Sequence, residues 1–302
     1  MQQLLTNRFR GLWLGVAVLE ADLQQRNQPS SIDQTSTSGC SWSVPPEGLG
    51  WWDEMATSAQ TLMQPAPSPS SARQPLDDDF ALARLIARAL PITLFFHEDL
   101  TQLEAQLSYC IPGVANPRLR DGVIGIGVAI ALLCQEQAHP HTLISQLLNQ
   151  PFWLTRTLPN QLYRVQDLLQ DHASLATAEK DLGRQCSTPT ESLEMSIALA
   201  LFCWASTPDS FALTLTRGRS LTSSPIPSTL IACALSGVFN GSERIPIDLQ
   251  SPLLSSSSPV SRQDILGLAD QFLSVWSGCC SSITLPLGQT VVAAPGILRP
   301  RG

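Results

Sequence analysis

The sequence predicts an all-α protein built as one compact multi-helix domain, and three observations carry that prediction. Apolar residues recur at helical spacing through most of the 302-residue chain. No alternating stretch of useful strand length occurs before 283–292, and that stretch contains Pro286 and Gly288. Hydrophobic residues make up 43% of the chain and charged residues only 14%. That is ample for a large core, and it leaves so little charge that much helix surface must be buried. A wholly disordered chain is excluded by the same composition. The single domain is expected to span 1–302, with flexible Ser/Pro-rich inserts at 26–50, 64–75 and 251–262 that cannot repay their ordering entropy.

Taken in order, the first helix is expected to begin near Thr6, whose hydroxyl can serve as N-cap, with Leu12, Gly15, Val16 and Leu19 on one face. Arg8 and Arg10 before the apolar run 11–19 imitate a signal peptide. Glu20 and Asp22 follow directly, however, and no small-x-small site closes the run, so it reads as a core helix. A short amphipathic helix at 53–63 ends in Pro65-Ala66-Pro67-Ser68-Pro69. Asp77-Asp78-Asp79 opens the next helix, with acidic residues at the positive end of its dipole; Leu90-Pro91 is expected to end or kink it. Further helices are predicted at 100–109, 122–137, 141–148, 158–169, 192–205, 211–216, 229–239 and 262–275. The helix at 192–205 is apolar on several faces and should be buried nearly all round. In 228–241, Ala232, Cys233, Ser236 and Gly237 form a small-residue strip on which another helix can lie close, and Asn240-Gly241 supplies the C-terminal stop.

Composition and motifs also restrict function. A net charge of −7 leaves no cationic surplus for non-specific nucleic-acid binding. The longest apolar run besides the first helix, 122–134, is short of the ~20 residues that span a membrane. Lys180 is the only lysine, so it alone could carry Schiff-base chemistry. The eight cysteines show no Cys-x-x-Cys pair and no histidine close to a cysteine pair, which argues against zinc and for a reducing cytoplasm. Gly122-x-x-Gly125-x-Gly127 has the wrong order for a dinucleotide fingerprint. In His97-Glu98-Asp99 the two acids read as the cap of the helix at Leu100. His139-Pro140-His141 reads as a loop between helices, and two histidines alone rarely hold a metal. The serines at 255–258 lie in a linker with no nucleophile elbow. The tight carboxylate cluster is Asp77-Asp78-Asp79, hard oxygen ligands of the kind Mg²⁺ prefers, though a solvated helix start explains it as well.

Two segments carry a more specific likeness. Arg8-Phe9-Arg10-Gly11-Leu12-Trp13-Leu14-Gly15-Val16-Ala17-Val18 resembles the opening helix of the ADP-ribosylglycohydrolase family, of the dinitrogenase reductase-activating glycohydrolase type. The stretch 191–246 resembles that family's C-terminal core: Leu201-Phe202-Cys203-Trp204, Thr207-Pro208-Asp209-Ser210-Phe211, then Ala234-Leu235-Ser236-Gly237-Val238-Phe239-Asn240-Gly241 and Ile245-Pro246. A weaker likeness runs through 84–100. The resemblance implies an all-α hydrolase fold that cleaves the bond between ADP-ribose and a protein side chain or related acceptor. It also implies two Mg²⁺ or Mn²⁺ ions that position water and polarise the ribose.

The family's ligand motifs are degenerate here. Where family members carry Gly-Asp after the first helix, this chain has Leu19-Glu20, leaving Glu20 as the candidate catalytic carboxylate. The Thr-Asp-Asp-Thr motif matches only Asp53-Glu54 or Asp77-Asp78, neither with both threonines. Ser224 and Ile226 stand where the two aspartates of Gly-Gly-Asp-Thr-Asp-Thr would be. Two dications close together need several carboxylates to hold them. The expectation is therefore a divergent, catalytically impaired, cytoplasmic protein with no cofactor, whose partner is an ADP-ribose-like ligand or a protein. Two alternatives stay open. One is an active hydrolase with rearranged Mg²⁺ or Mn²⁺ ligands at Asp53, Glu54, Asp77 and Asp78 beside Glu20. The other is an unrelated helical interaction protein.

Overall fold

A computed structural model describes residues 2–27, 49–64, 79–111, 116–183, 189–254 and 260–278. Among these residues the chain forms thirteen α-helices, one 3₁₀ turn and no strand, one all-α domain. The helices are α1 (Gln2–Asn27), α2 (Trp51–Met63), α3 (Asp79–Phe95), α4 (Leu100–Cys110), α5 (Pro117–Cys134), α6 (Leu143–Leu148) and α7 (Thr157–Gln170), followed by α8 (Leu175–Leu182), α9 (Pro189–Ser206), α10 (Phe211–Arg219), α11 (Pro225–Asn240), α12 (Ile247–Leu254) and α13 (Arg262–Trp276). None is long and apolar enough to cross a membrane.

At the centre α1 packs on α11, and glycine makes the contact. A Cβ at Gly11 would overlap the Gly237 carbonyl oxygen, and one at Gly237 would overlap that of Gly11. One turn further along α1, a Cβ at Gly15 would stand 2.9 Å from the Cys233 carbonyl oxygen. As α1 advances from 11 to 15, α11 retreats from 237 to 233, so the two run antiparallel. The small-residue strip is thus filled by α1, backbone against backbone. All of α11 from Ile226 to Val238 is buried, with α9, α10, α3 and α5 against its other faces. The helix stops at Gly241, whose φ of +73° excludes most L-residues and whose N–H bonds the Gly237 carbonyl at 2.8 Å.

Around this pair, α13 covers α1, α2 packs on α3, α7 on α9, and α4 on α5. Buried from Asp121 to Cys134, α5 is fixed at its C-terminus by Arg8 of α1, whose guanidinium donates to the Leu133 carbonyl and pairs with Glu136 at 3.3 Å. Asp99 caps α4 as expected, accepting from the Thr101 and Gln102 amides at 3.0 Å.

Several boundaries differ from the sequence reading. Helix α1 starts at Gln2, four residues before Thr6, and runs through Arg26 to Asn27. Helix α3 continues through Pro91 to Phe95: proline removes one donor, and burial of Leu90, Ile92 and Leu94 on both sides of it offsets that loss. Helices α8 and α12 were not signalled. The polar run of α8 is held by its Ser174 cap, and α12 contains Pro252 among serines. Of the expected inserts, 26–27, 251–254 and 262 are helical, whereas 28–48, 65–75 and 255–259 lie outside the described residues, as does 283–292.

The α1–α11 contact predicts opposite outcomes at two glycines. Gly237→Leu drives a side chain into facing backbone and should destabilise by roughly 3 kcal/mol or more. Gly267, exposed on α13 with open space around it, should tolerate alanine with a gain of ~0.5–1 kcal/mol. Urea midpoints of the two variants against wild type measure both.

Candidate functional site

Glu20 lies on α1 and is 6% exposed. Its two carboxylate oxygens accept from the first amides of α2, Trp51 N at 3.2 Å and Trp52 N at 2.9 Å. The residue before α2, Gly50, lies in the left-handed region at φ +65° and offers no side-chain cap, so Glu20 caps α2 from another helix. Desolvation raises its pKa to about 7; the Trp52 and Trp51 amides oppose that rise, and Asp53 adds to it by charge repulsion.

Of the other candidate ligands, the two that are described, Asp53 and Glu54, do not gather into a group. Asp53 is exposed. Glu54 turns towards α3 and holds Arg88 through two bonds of 2.8 and 3.0 Å. Asp77 and Asp78 lie outside the described residues. Among the described residues, no three His, Cys, Asp or Glu side chains are grouped to hold a metal ion.

Asp79, the third aspartate of the run, is brought together with Ser224. It opens α3 where the N-termini of α9 and α11 meet it. Its Oδ1 accepts from Ser224 Oγ at 3.0 Å and from Ser192 Oγ at 3.1 Å. Ser224 Oγ also lies 2.8 Å from Ser192 Oγ and accepts from Ser196 Oγ at 2.8 Å. The result is two hydroxyls on one carboxylate, with a third hydroxyl, Ser196, donating to Ser224. Ser224 reaches this place from a left-handed backbone, φ +46° and ψ +53°, a conformation that costs a non-glycine residue about 1 kcal/mol or more and that the surrounding bonds hold. Ile226 is buried and apolar.

A second polar network at the first turns of α5, α7 and α9 had no sequence motif. Glu194, buried on α9, takes Arg118 Nε at 2.9 Å and Nη2 at 2.5 Å, and accepts from Thr157 Oγ1 at 2.5 Å. Thr157 Oγ1 lies 3.1 Å from Thr155 Oγ1, which donates to Asp121 Oδ2 at 2.8 Å. Asp121 is fully buried and also receives the Leu154 and Thr155 amides. The available signal was an arginine-aspartate run, 118–121, opening an otherwise apolar helix. With every carboxylate partnered, this network ties three helices together.

His97 is buried, with Nδ1 2.7 Å from the Leu94 carbonyl and its ring against Phe9 and Trp276. Burial lowers its pKa, so it serves the core as a neutral ring. Cys134, Cys203 and Cys233 are free and buried. Burial pushes the Cys134 and Cys203 thiols up to about 12, far from nucleophilic use. Cys279 and Cys280 lie outside the described residues. A void of about 10 Å³ between Trp153, Gly125, Leu201 and Leu235 is apolar; it is at the lower limit for one water and lacks the polar partners a water needs.

Glu20 gives stability a pH dependence with a defined sign. Unfolded, the carboxyl titrates near 4.5, and folded near 7; between these values the folded state holds the extra proton. Glu20's contribution to stability is therefore fully present below pH 4.5 and is lost as pH rises through 7, by roughly 3 kcal/mol. Glu20→Gln should remove that decline, while its single acceptor leaves one α2 amide unpartnered at a cost of about 1 kcal/mol. Denaturant midpoints of both proteins at about pH 5 and about pH 8 test the difference in slope.

No family model matches the chain and no curated protein matches it, so the geometry of these helix ends is what bears on its chemistry.

Proposed function

We propose that this chain is a divergent ADP-ribosylglycohydrolase-like protein that has no dinuclear metal centre and binds an ADP-ribose-like ligand without hydrolysing it. The observation that carries this reading is Ser224. At the position where the resembled family places a metal-binding aspartate, a neutral hydroxyl donates to Asp79 at 3.0 Å. One carboxylate shared between Ser192 and Ser224 cannot offset the dehydration and mutual repulsion of two dications. Glu20 and Glu54 support the same view, since each is committed to an internal partner. Of this cluster, Asp79 and Ser192 are partly exposed, and a carboxylate beside a hydroxyl is of the kind that recognises ribose hydroxyls, which both donate and accept.

Thermal melts test the proposal. Millimolar Mg²⁺ or Mn²⁺ alone should leave the transition unchanged, ADP-ribose should raise it in a concentration-dependent way, and ADP-ribosylated arginine should stay intact. Saturable stabilisation by two ions per chain with release of ADP-ribose would overturn it. Ser224→Asp sets a second carboxylate beside Asp79. It should destabilise by about 1–3 kcal/mol without divalent cations through like-charge repulsion, and Mg²⁺ should recover part of that loss.

A further inference from the structure

The loop between α5 and α6 holds two of the chain's four histidines. The rings of His139 and His141 lie with centroids 5.6 Å apart and planes 25° from parallel. Both residues are exposed, while Pro140 between them is buried and anchors the loop. The backbone beneath is closed by Thr142, whose hydroxyl accepts from the His139 amide at 3.0 Å and lies 3.2 Å from the His139 carbonyl. The Thr142 and Leu143 amides also donate to that carbonyl, at 2.8 and 2.9 Å. Phe239 of α11 backs the His139 ring edge-on at 6.0 Å. The two imidazoles are thus stacked face to face on a fixed turn.

Imidazole binds borderline divalent metals at about 2.0–2.1 Å, so two rings sharing one tetrahedral ion have centroids about 5 Å apart. The observed pair is stacked at 5.6 Å rather than splayed about an ion, so binding requires each exposed side chain to rotate until one nitrogen of each ring faces the same point. We propose that His139 and His141 form a surface site for one borderline transition cation, of the Ni²⁺, Cu²⁺ or Zn²⁺ class, with water in the remaining positions. Imidazole selects this class over Mg²⁺ and Ca²⁺, which prefer oxygen. The site belongs to the far end of the fold: Phe239 is roughly 22 Å along α11 from Ser224 at the helical rise, so it is independent of the function proposed above.

The test is a titration of the full chain with Ni²⁺ at neutral pH, following imidazole resonances. Substoichiometric Ni²⁺ should broaden the rings of His139 and His141 and leave those of buried His97 and exposed His172 sharp. Equilibrium dialysis should lose one ion per chain, or about tenfold in affinity, in His139→Asn and in His141→Asn, and be unchanged in His172→Asn. Both substitutions lie on an exposed loop, and matching far-ultraviolet spectra and melts confirm that the variants fold. Equal broadening of His172, no broadening at all, or binding that survives both substitutions because thiols carry it, would each overturn the proposal.

Discussion

The approach of α1 to α11 is the constraint on which the rest of this structure depends. Two helices can bring backbone to backbone only where no side chain stands between them, and here Gly11 meets Gly237 while Gly15 lies against the Cys233 carbonyl. The closeness has a cost and a return. Glycine in a helix weakens it by up to about 1 kcal/mol, but the seam lets α11 be surrounded on every side, with α9, α10, α3 and α5 packed where a wider pair would leave gaps. The seam also aligns the helix ends, because an antiparallel pair in this register sets the second half of α1 beside the start of α11. Glu20 and Ser224 are features of those two segments.

At that end of the bundle, polar groups are used for construction. Helix N-termini carry unpaired amides, and this chain answers them with acids and hydroxyls drawn from other helices: Glu20 for α2 and Asp121 for the turn before α7. Asp79 takes a different role, holding together the hydroxyls that meet at α3, α9 and α11. A carboxylate spent in this way is not free to bind a cation. The same economy explains why Arg88 and Arg118 are engaged: each neutralises an acid that would otherwise be partly buried without a counter-charge.

How much of this was legible in the sequence depends on the range of the interaction. Periodicity exposed the helices of the core because burial of Leu12, Leu82, Leu193 and Leu230 follows the 3.6-residue repeat, and the small-residue strip at Gly237 announced a close neighbour. Local caps were legible too, Asp99 among them. Helices α8 and α12 were not, since α8 is a mostly polar run and α12 carries Pro252 within its eight residues. Of the candidate site, Glu20, Asp53, Glu54 and Ser224 could be named, but the partners of the committed ones could not. Arg88 lies 34 residues from Glu54, and Asp79 lies 145 from Ser224. Pairings over such distances are made by the tertiary fold and leave no local mark, which is also why the Arg118–Glu194–Asp121 network went unseen.

The seam has a temporal side as well. Gly237 leaves the ribosome more than two hundred residues after Gly11. At translation rates of about 5–20 residues per second, the interval is on the order of ten seconds or more. For that time α1 soon has the α2 amides that donate to its Glu20, but not the surface that covers its glycine face. Nascent α1 is therefore an apolar helix waiting for a partner encoded some two hundred residues downstream. The core cannot close before α11 is made, and the chain's exposure to misassembly is set by how α1 is shielded until then.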